Sequence, residues 1–159
     1  MRPAVVAESA ILHHNVLTMT AKVHLATVTA DPLDAVAITA LVSDGSTGAV
    51  VVFSGDVRNH DHGKEVLTLT YEAHPSAGEV IQTVVDSLAK TLEVTHIAAA
   101  HRVGPIPIGE SALVVAVGSS HRGDAFSACR EIVDQIKEQL PVWKHQYFAD
   151  GTDEWVNCE

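Results

Sequence analysis

The amino-acid sequence predicts an α+β fold, with helices packed on a largely antiparallel, mixed sheet that closes with a C-terminal hairpin. Three observations carry this expectation. Short runs with the two-residue period of a half-buried strand come in pairs and alternate with helical segments. Val80, Ile81, Val84, Val85, Leu88 and Leu92 recur at spacings of three and four, so they form one apolar face of a helix. Proline and glycine stand where these runs end, as at Asp31-Pro32, Asp44-Gly45, Gly104 to Gly109 and Pro141.

Taken in order, residues 1 to 21 lack clean periodicity and read as an N-terminal extension without functional weight; residues 22 to 159 read as a single domain. Lys22 to Thr29 alternates as a strand, and Asp31-Pro32 supplies an N-cap and a first-turn proline for a helix over Leu33 to Val42. The Val-rich run Ala49 to Phe53 reads as a buried strand, with Glu65 to Ala73 as its expected partner and Gly55 to Gly63 as the loop between them. Pro75 to Leu92 is the amphipathic helix described above. Val94 to Val103 and Ala112 to Val117 are further strands, separated by a proline-rich turn or edge segment. Asp124 is placed to cap a helix to about Leu140, with Phe126, Cys129, Ile132 or Val133, Ile136 and Leu140 as its buried stripe and Pro141 as its stop. Val142 to Phe148 and Glu154 to Val156, around Ala149-Asp-Gly151, form the closing hairpin.

A chain of 159 residues with 47% apolar content supports one well-buried core. Its formal net charge of -10 and the lack of a basic stripe argue against nucleic acid as a partner. No apolar stretch is long enough to cross a membrane, and the N-terminal run is too interrupted to be a signal peptide. Two cysteines, Cys129 on an apolar face and Cys158 near the C-terminus, make no disulfide framework and no metal-ligand spacing, so a cytoplasmic location is expected.

Against this acidic background, Arg58, Arg102, Arg122, Lys137 and Lys144 are five of the ten Lys and Arg residues, and each stands at the end of an apolar run. Cations grouped in that way point to a pocket for one small anion. Arg58 lies in a Gly-flanked turn where a guanidinium can grip two phosphate oxygens, or can pair with Asp56 or Asp61 instead. His121-Arg122 precedes a helix whose N-terminal amides favour an anion. Lys137 sits at the margin of a helical apolar stripe, where its stem can be buried while the amine reaches a pocket. Lys144 can join it only if the strand after Pro141 folds back beside the helix. Trp143 is a candidate wall for an aromatic ligand. His60-Asp61-His62 and His13-His14 raise a metal-dependent hydrolase as a rival, but no second ligand cluster has defined spacing, so no metal and no cofactor is expected. Neither cysteine has the electropositive setting of a reactive thiolate, so any sulfur chemistry must take its sulfur from another molecule.

In order and spacing, Val51-Val-Phe-Ser-Gly-Asp-Val-Arg-Asn-His60, His101-Arg-Val-Gly104, Ser120-His-Arg122 before Ala125-Phe126, and Lys137 with Val142-Trp-Lys144 resemble the catalytic (large) subunit of molybdopterin synthase, the MoaE family. The likeness runs from about residue 22 to Val156. It implies an α/β hammerhead-type fold, a dimer of large subunits, and a ubiquitin-like sulfur-carrier subunit with a C-terminal Gly-Gly thiocarboxylate at each end of a heterotetramer. It also implies two sulfur transfers to cyclic pyranopterin monophosphate, forming the molybdopterin dithiolene.

By the same resemblance, Lys137 and Lys144 are the catalytic pair. Asp56, Val57, Arg58, His121, Arg122, His145 and Gln146 join them in binding substrate. The role assigned to Lys137, with Lys144 assisting, is proton transfer or stabilisation of a developing oxyanion, and charge stabilisation is preferred because it requires no change of ionisation. Two departures from the family pattern stand out: Asp56 replaces a common Lys, and His145-Gln146 replaces a frequent Arg-Glu. Any contact at position 56 then falls to the backbone, and more of the phosphate charge is left to Arg58 and Arg122. A non-catalytic binding module of the same fold is the alternative reading.

Overall fold

A computed structural model describes residues 19–157. The His13-His14 pair, Cys158 and nearly all of the expected N-terminal extension lie outside the described residues. Ala21, assigned to that extension by the sequence, is buried, and its amide donates to the Ala89 carbonyl at 2.9 Å.

Among the described residues, nine strands and three helices follow one another as β1 (Lys22–Thr29), α1 (Ala35–Ala40), β2 (Ala49–Asp56), β3 (His60–Asp61), β4 (Lys64–Ala73), α2 (Ala77–Ala89), β5 (His96–Arg102), β6 (Gly104–Pro105), β7 (Ser111–Ser119), α3 (Arg122–Gln139), β8 (Val142–Phe148) and β9 (Asp153–Asn157). They build two sheets. The first has the order β1-β5-β7-β2, with β1 and β5 parallel and the other pairs antiparallel. The second runs β3-β4-β8-β9, all antiparallel, with β6 added beside β4. The α+β class and the closing β8–β9 hairpin are as the sequence predicts.

The first sheet is covered on both faces, which explains the unbroken apolar runs of β5 and β7. Ile97, Ala99, Leu113, Val115 and Val117 point into a core filled by Ile81, Val84 and Val85 of α2 and by Cys129, Ile132, Val133 and Ile136 of α3. The alternate residues Ala98, Ala100, Val114 and Ala116 pack against Ile38 and Val42 on the other face. There the chain presses so close to β7 that a Cβ on Gly118 would collide with the Val42 carbonyl oxygen. A third, smaller cluster of Val57, Leu69, Ile106 and Ala112 lies where the two sheets meet.

Four sequence expectations change. Ala49–Asp56 pairs with β7 and not with the Lys64–Ala73 strand, which belongs to the other sheet and pairs with β8; alternation identifies a strand but says little about its partner. The cap of α1 is Asp34, whose Oδ1 accepts from the amides of Val36 and Ala37, so Asp31-Pro32 lies ahead of the helix. Phe126 is 63% exposed, because Ala125, Ala128 and Cys129 form the buried stripe at that end of α3. α3 also begins at Arg122 with His121 in the cap position, which leaves Asp124 inside the first turn.

Candidate functional site

A cleft of about 190 Å³ opens between the two sheets. Its walls come from the end of β2 and the following loop (Gly55, Asp56, Val57, Arg58), from β4 (Leu69, Tyr71), and from the C-terminal end of α3 (Ile136, Lys137, Leu140). Strand β8 contributes Val142, Lys144 and Gln146, and β5 contributes His101. The convergence of Lys137 and Lys144 has a local cause. Leu140 leaves α3 with an extended backbone (ψ 121°), Pro141 prevents another helical turn, and β8 returns beside the helix. Strand alternation then turns Val142, Lys144 and Gln146 toward the cleft.

The same alternation sends Trp143, His145 and Tyr147 to the opposite face. His145 stacks on Trp155 with ring centroids 4.1 Å apart and its Nε2 lies 2.7 Å from Asp153 Oδ2. His145 and Trp143 therefore do not line the cleft. Asp56 does, and its Oδ1 accepts from the hydroxyl of Ser111 at 2.9 Å and also from that of Ser54. Val57 also lines the cleft, with its amide donating to Glu110 O at 3.0 Å and its carbonyl accepting from Gly109 at 2.8 Å.

Arg58 faces Asp61 rather than Asp56, with Nη2 3.4 Å from Asp61 Oδ1. Arg102 is taken out of the group of candidate anion ligands, because it is buried and its Nη1 pairs with Glu110 Oε2 at 2.6 Å. His121 and Arg122 are exposed at the start of α3, fifteen residues before Lys137, which is roughly 22 Å along a helix axis. One chain therefore does not bring them to this cleft.

His101, which the sequence reading quotes within a motif but gives no role, is a buried residue on the cleft wall whose ring meets Tyr71 edge-on at 4.9 Å. Burial lowers its pKa to about 4, against a hydrogen bond from Nδ1 to the Arg102 carbonyl (2.8 Å) and with a further push from the Lys137 charge. It is neutral at pH 7. The Cys129 thiol is pushed up to about 11 by burial and remains protonated.

Among the described residues, the histidine and carboxylate side chains that do gather are Asp61, His62 and Glu154, with His62 Nε2 3.8 Å from Asp61 Oδ1 and 3.9 Å from Glu154 Oε2. His60 turns instead to Asn59 Oδ1, 2.9 Å from its Nδ1, so the hydrolase triad suggested by the sequence is not assembled. Arg58 and Lys144 already neutralise Asp61, which works against a metal cation there.

Residues 28–139 match the MoaE protein family. The chain is 39% identical over 137 residues to the molybdopterin synthase catalytic subunit of Nostoc sp., covering 83% of each chain. The crystal structure of molybdopterin synthase from Staphylococcus aureus superposes with a TM-score of 0.76 at 31% identity, covering 82% of this chain and 96% of that one. A chain from the complex of subunits 1 and 2 of the molybdopterin-converting factor of Helicobacter pylori shares the fold at 22% identity and a TM-score of 0.54, covering 72% of this chain and 73% of that one.

Proposed function

The chain belongs to the MoaE family of molybdopterin synthase catalytic subunits, and we propose that it transfers two sulfurs from a thiocarboxylated small subunit to cyclic pyranopterin monophosphate in molybdenum cofactor biosynthesis. The observation that carries this reading is the placement of Lys137, Lys144 and Arg58 around one cleft by three different elements. Those cations suit a monophosphate substrate and the carboxylate end of a carrier protein. Arg58 can bind phosphate through two parallel bonds, which fixes orientation as well as charge. Lys137 is exposed at the rim, where an ammonium stabilises the oxyanion that develops as the carrier's acyl–sulfur bond is attacked. With Cys129 buried and protonated, the sulfur comes from the partner and the enzyme binds, orients and neutralises.

The cleft volume falls below the 300 Å³ or so at which small-molecule sites usually begin. With His121 and Arg122 at the far end of α3, this supports a site completed by a second copy of the chain, whose helix start supplies that pair to the substrate. The Helicobacter pylori chain is named as part of a two-subunit complex, which agrees with a small-subunit partner. Among the described residues no helix is long and apolar enough to cross a membrane.

The test is reconstitution. This chain, a thiocarboxylated small subunit and cyclic pyranopterin monophosphate should yield molybdopterin, detected as its fluorescent oxidised derivative. No product, with the small subunit shown to be loaded and bound, would replace the synthase reading with a non-catalytic binding module.

A further inference from the structure

Of the two carboxylates that line the cleft, Asp56 and Asp61, it is Asp61 that stands beside its cations. Asp61 ends the two-residue strand β3, and the chain reverses at His62 (φ 50°) and Gly63 (φ 73°) to pair Asp61 with Lys64. Two successive positive φ values are the mark of a type I′ hairpin turn, so the Asp61 side chain is aimed by a tight backbone geometry. That side chain is only 14% exposed. Its Oδ2 accepts from Gln146 Nε2 at 2.7 Å and lies 3.6 Å from Lys144 Nζ, while Oδ1 lies 3.4 Å from Arg58 Nη2.

The distances separate two roles. The amide of Gln146 makes a short, closed hydrogen bond. The two cations stand beyond the roughly 2.7–2.9 Å of a closed charge-assisted bond, so they are held near the carboxylate while keeping capacity for another anion. Gln146 is buried, which makes it a fixed clamp. The hydrogen bond from Gln146 is the largest influence keeping the Asp61 carboxyl below its usual range, with Lys144, His62 and Arg58 adding to it against the effect of burial.

Building on the synthase reading, we propose that Asp61 is a positioning residue for sulfur transfer: clamped by Gln146, its carboxylate holds Lys144 and Arg58 in place as their shared counter-ion. Lys144 and Gln146 are two residues apart on the cleft face of β8, so a carboxylate at position 146 or at position 61 reaches the same ammonium. The pair contains one amide and one carboxylate. Where the family pattern often carries Glu after the second lysine, this chain carries Gln146 and places the acid against it, on β3 of the same sheet. Without a carboxylate in either place, Arg58 and Lys144 would repel each other and relax toward solvent.

Asp61→Asn and the exchanged pair Asp61→Asn/Gln146→Glu test this, by steady-state sulfur transfer and by side-chain NMR of the Lys144 Nζ in lysine-labelled protein. Asp61→Asn keeps the shape and the bond to Gln146 but removes the charge. It should lower kcat by about tenfold to a hundredfold, the scale of a misplaced reacting group. KM for the anionic substrate should rise by less than kcat falls, because both cations are displaced but neither charge is lost. The Lys144 resonance should move toward that of solvent-exposed lysines, and the exchanged pair should return both kcat and resonance toward the parent. Parent-like kcat and resonance in Asp61→Asn, or no recovery in an exchanged pair that melts like the parent, would overturn the proposal. A parent that makes no product would sink the synthase reading alone, while the Lys144 resonance in the three proteins would still decide whether Asp61 places that lysine.

Discussion

Strands β7 and β8 both alternate, yet they put the alternation to different use. Every residue of β7 from Ala112 to Ser119 is buried, odd and even positions serving two cores on opposite faces of the first sheet. In β8 one set of side chains, Lys144 and Gln146, faces the cleft, and the other, Trp143, His145 and Tyr147, lies on the opposite face of the sheet, with His145 stacked on Trp155. The first strand is made for stability, and the second brings charge to a place from which it can act. Substitutions in the two regions should therefore separate cleanly into losses of folding and losses of turnover.

The largest effect on folding is expected where α3 meets the first sheet. Ile132 is fully buried, so Ile132→Ala should cost about 2–5 kcal/mol in chemical denaturation while the protein that remains folded keeps its activity per molecule. A loss of turnover larger than the loss of folded protein would break the separation.

His101 lies at the border between the regions and sharpens it. Its pKa lies near 4 when folded and near 6.5 when unfolded, so between those values the unfolded chain binds the additional proton. Stability is complete above pH 6.5 and falls as the pH drops toward 4, by on the order of 3 kcal/mol in total. Denaturation of the parent and of His101→Gln at pH 7.5 and 4.5 should show the parent losing most of that difference in excess of the variant. Equal losses would mean that His101 is not held neutral by burial.

Within the cleft, Arg58→Ala should weaken substrate binding by about tenfold to a hundredfold, the worth of a hydrogen bond to a charged group, with little change in melting. Asp56→Ala should stay within about 0.5 kcal/mol of the parent, since its carboxylate contacts only the serine hydroxyls described above. Binding measured by calorimetry with cyclic pyranopterin monophosphate distinguishes them, and equal effects would contradict the assignment of Arg58.

Much of this arrangement is legible in the sequence because it is local. The face of α2 follows from six apolar residues at helical spacing, and the return of β8 beside α3 follows from Pro141. The pairing of β2 with β7 is not legible, since Ala49 meets Ser119 across seventy residues of sequence and nothing in either run names the other. Phe126 has the right spacing for burial, yet three small residues fill that end of the stripe. Strand alternation alone separates His145 from Lys144, and applying it along Val142 to Phe148 would have kept His145 out of the cleft. The signal for Asp61 is fainter. It lies in the pairing choice open to Arg58 and in the missing acid at position 146, two observations that meet only when the fold brings the Asp61 and Gln146 side chains together.

The central claim is that the ammonium of Lys137, at the rim of this cleft, acts on the transition state of sulfur transfer. It is tested most directly by the single-turnover rate of Lys137→Ala with saturating thiocarboxylated small subunit and substrate, beside a melting curve. The account predicts a rate lower by about a hundredfold to a thousandfold, as for removal of one oxyanion donor, with an unchanged melting temperature. A variant that folds, binds its partner and transfers sulfur at the parent rate would contradict it.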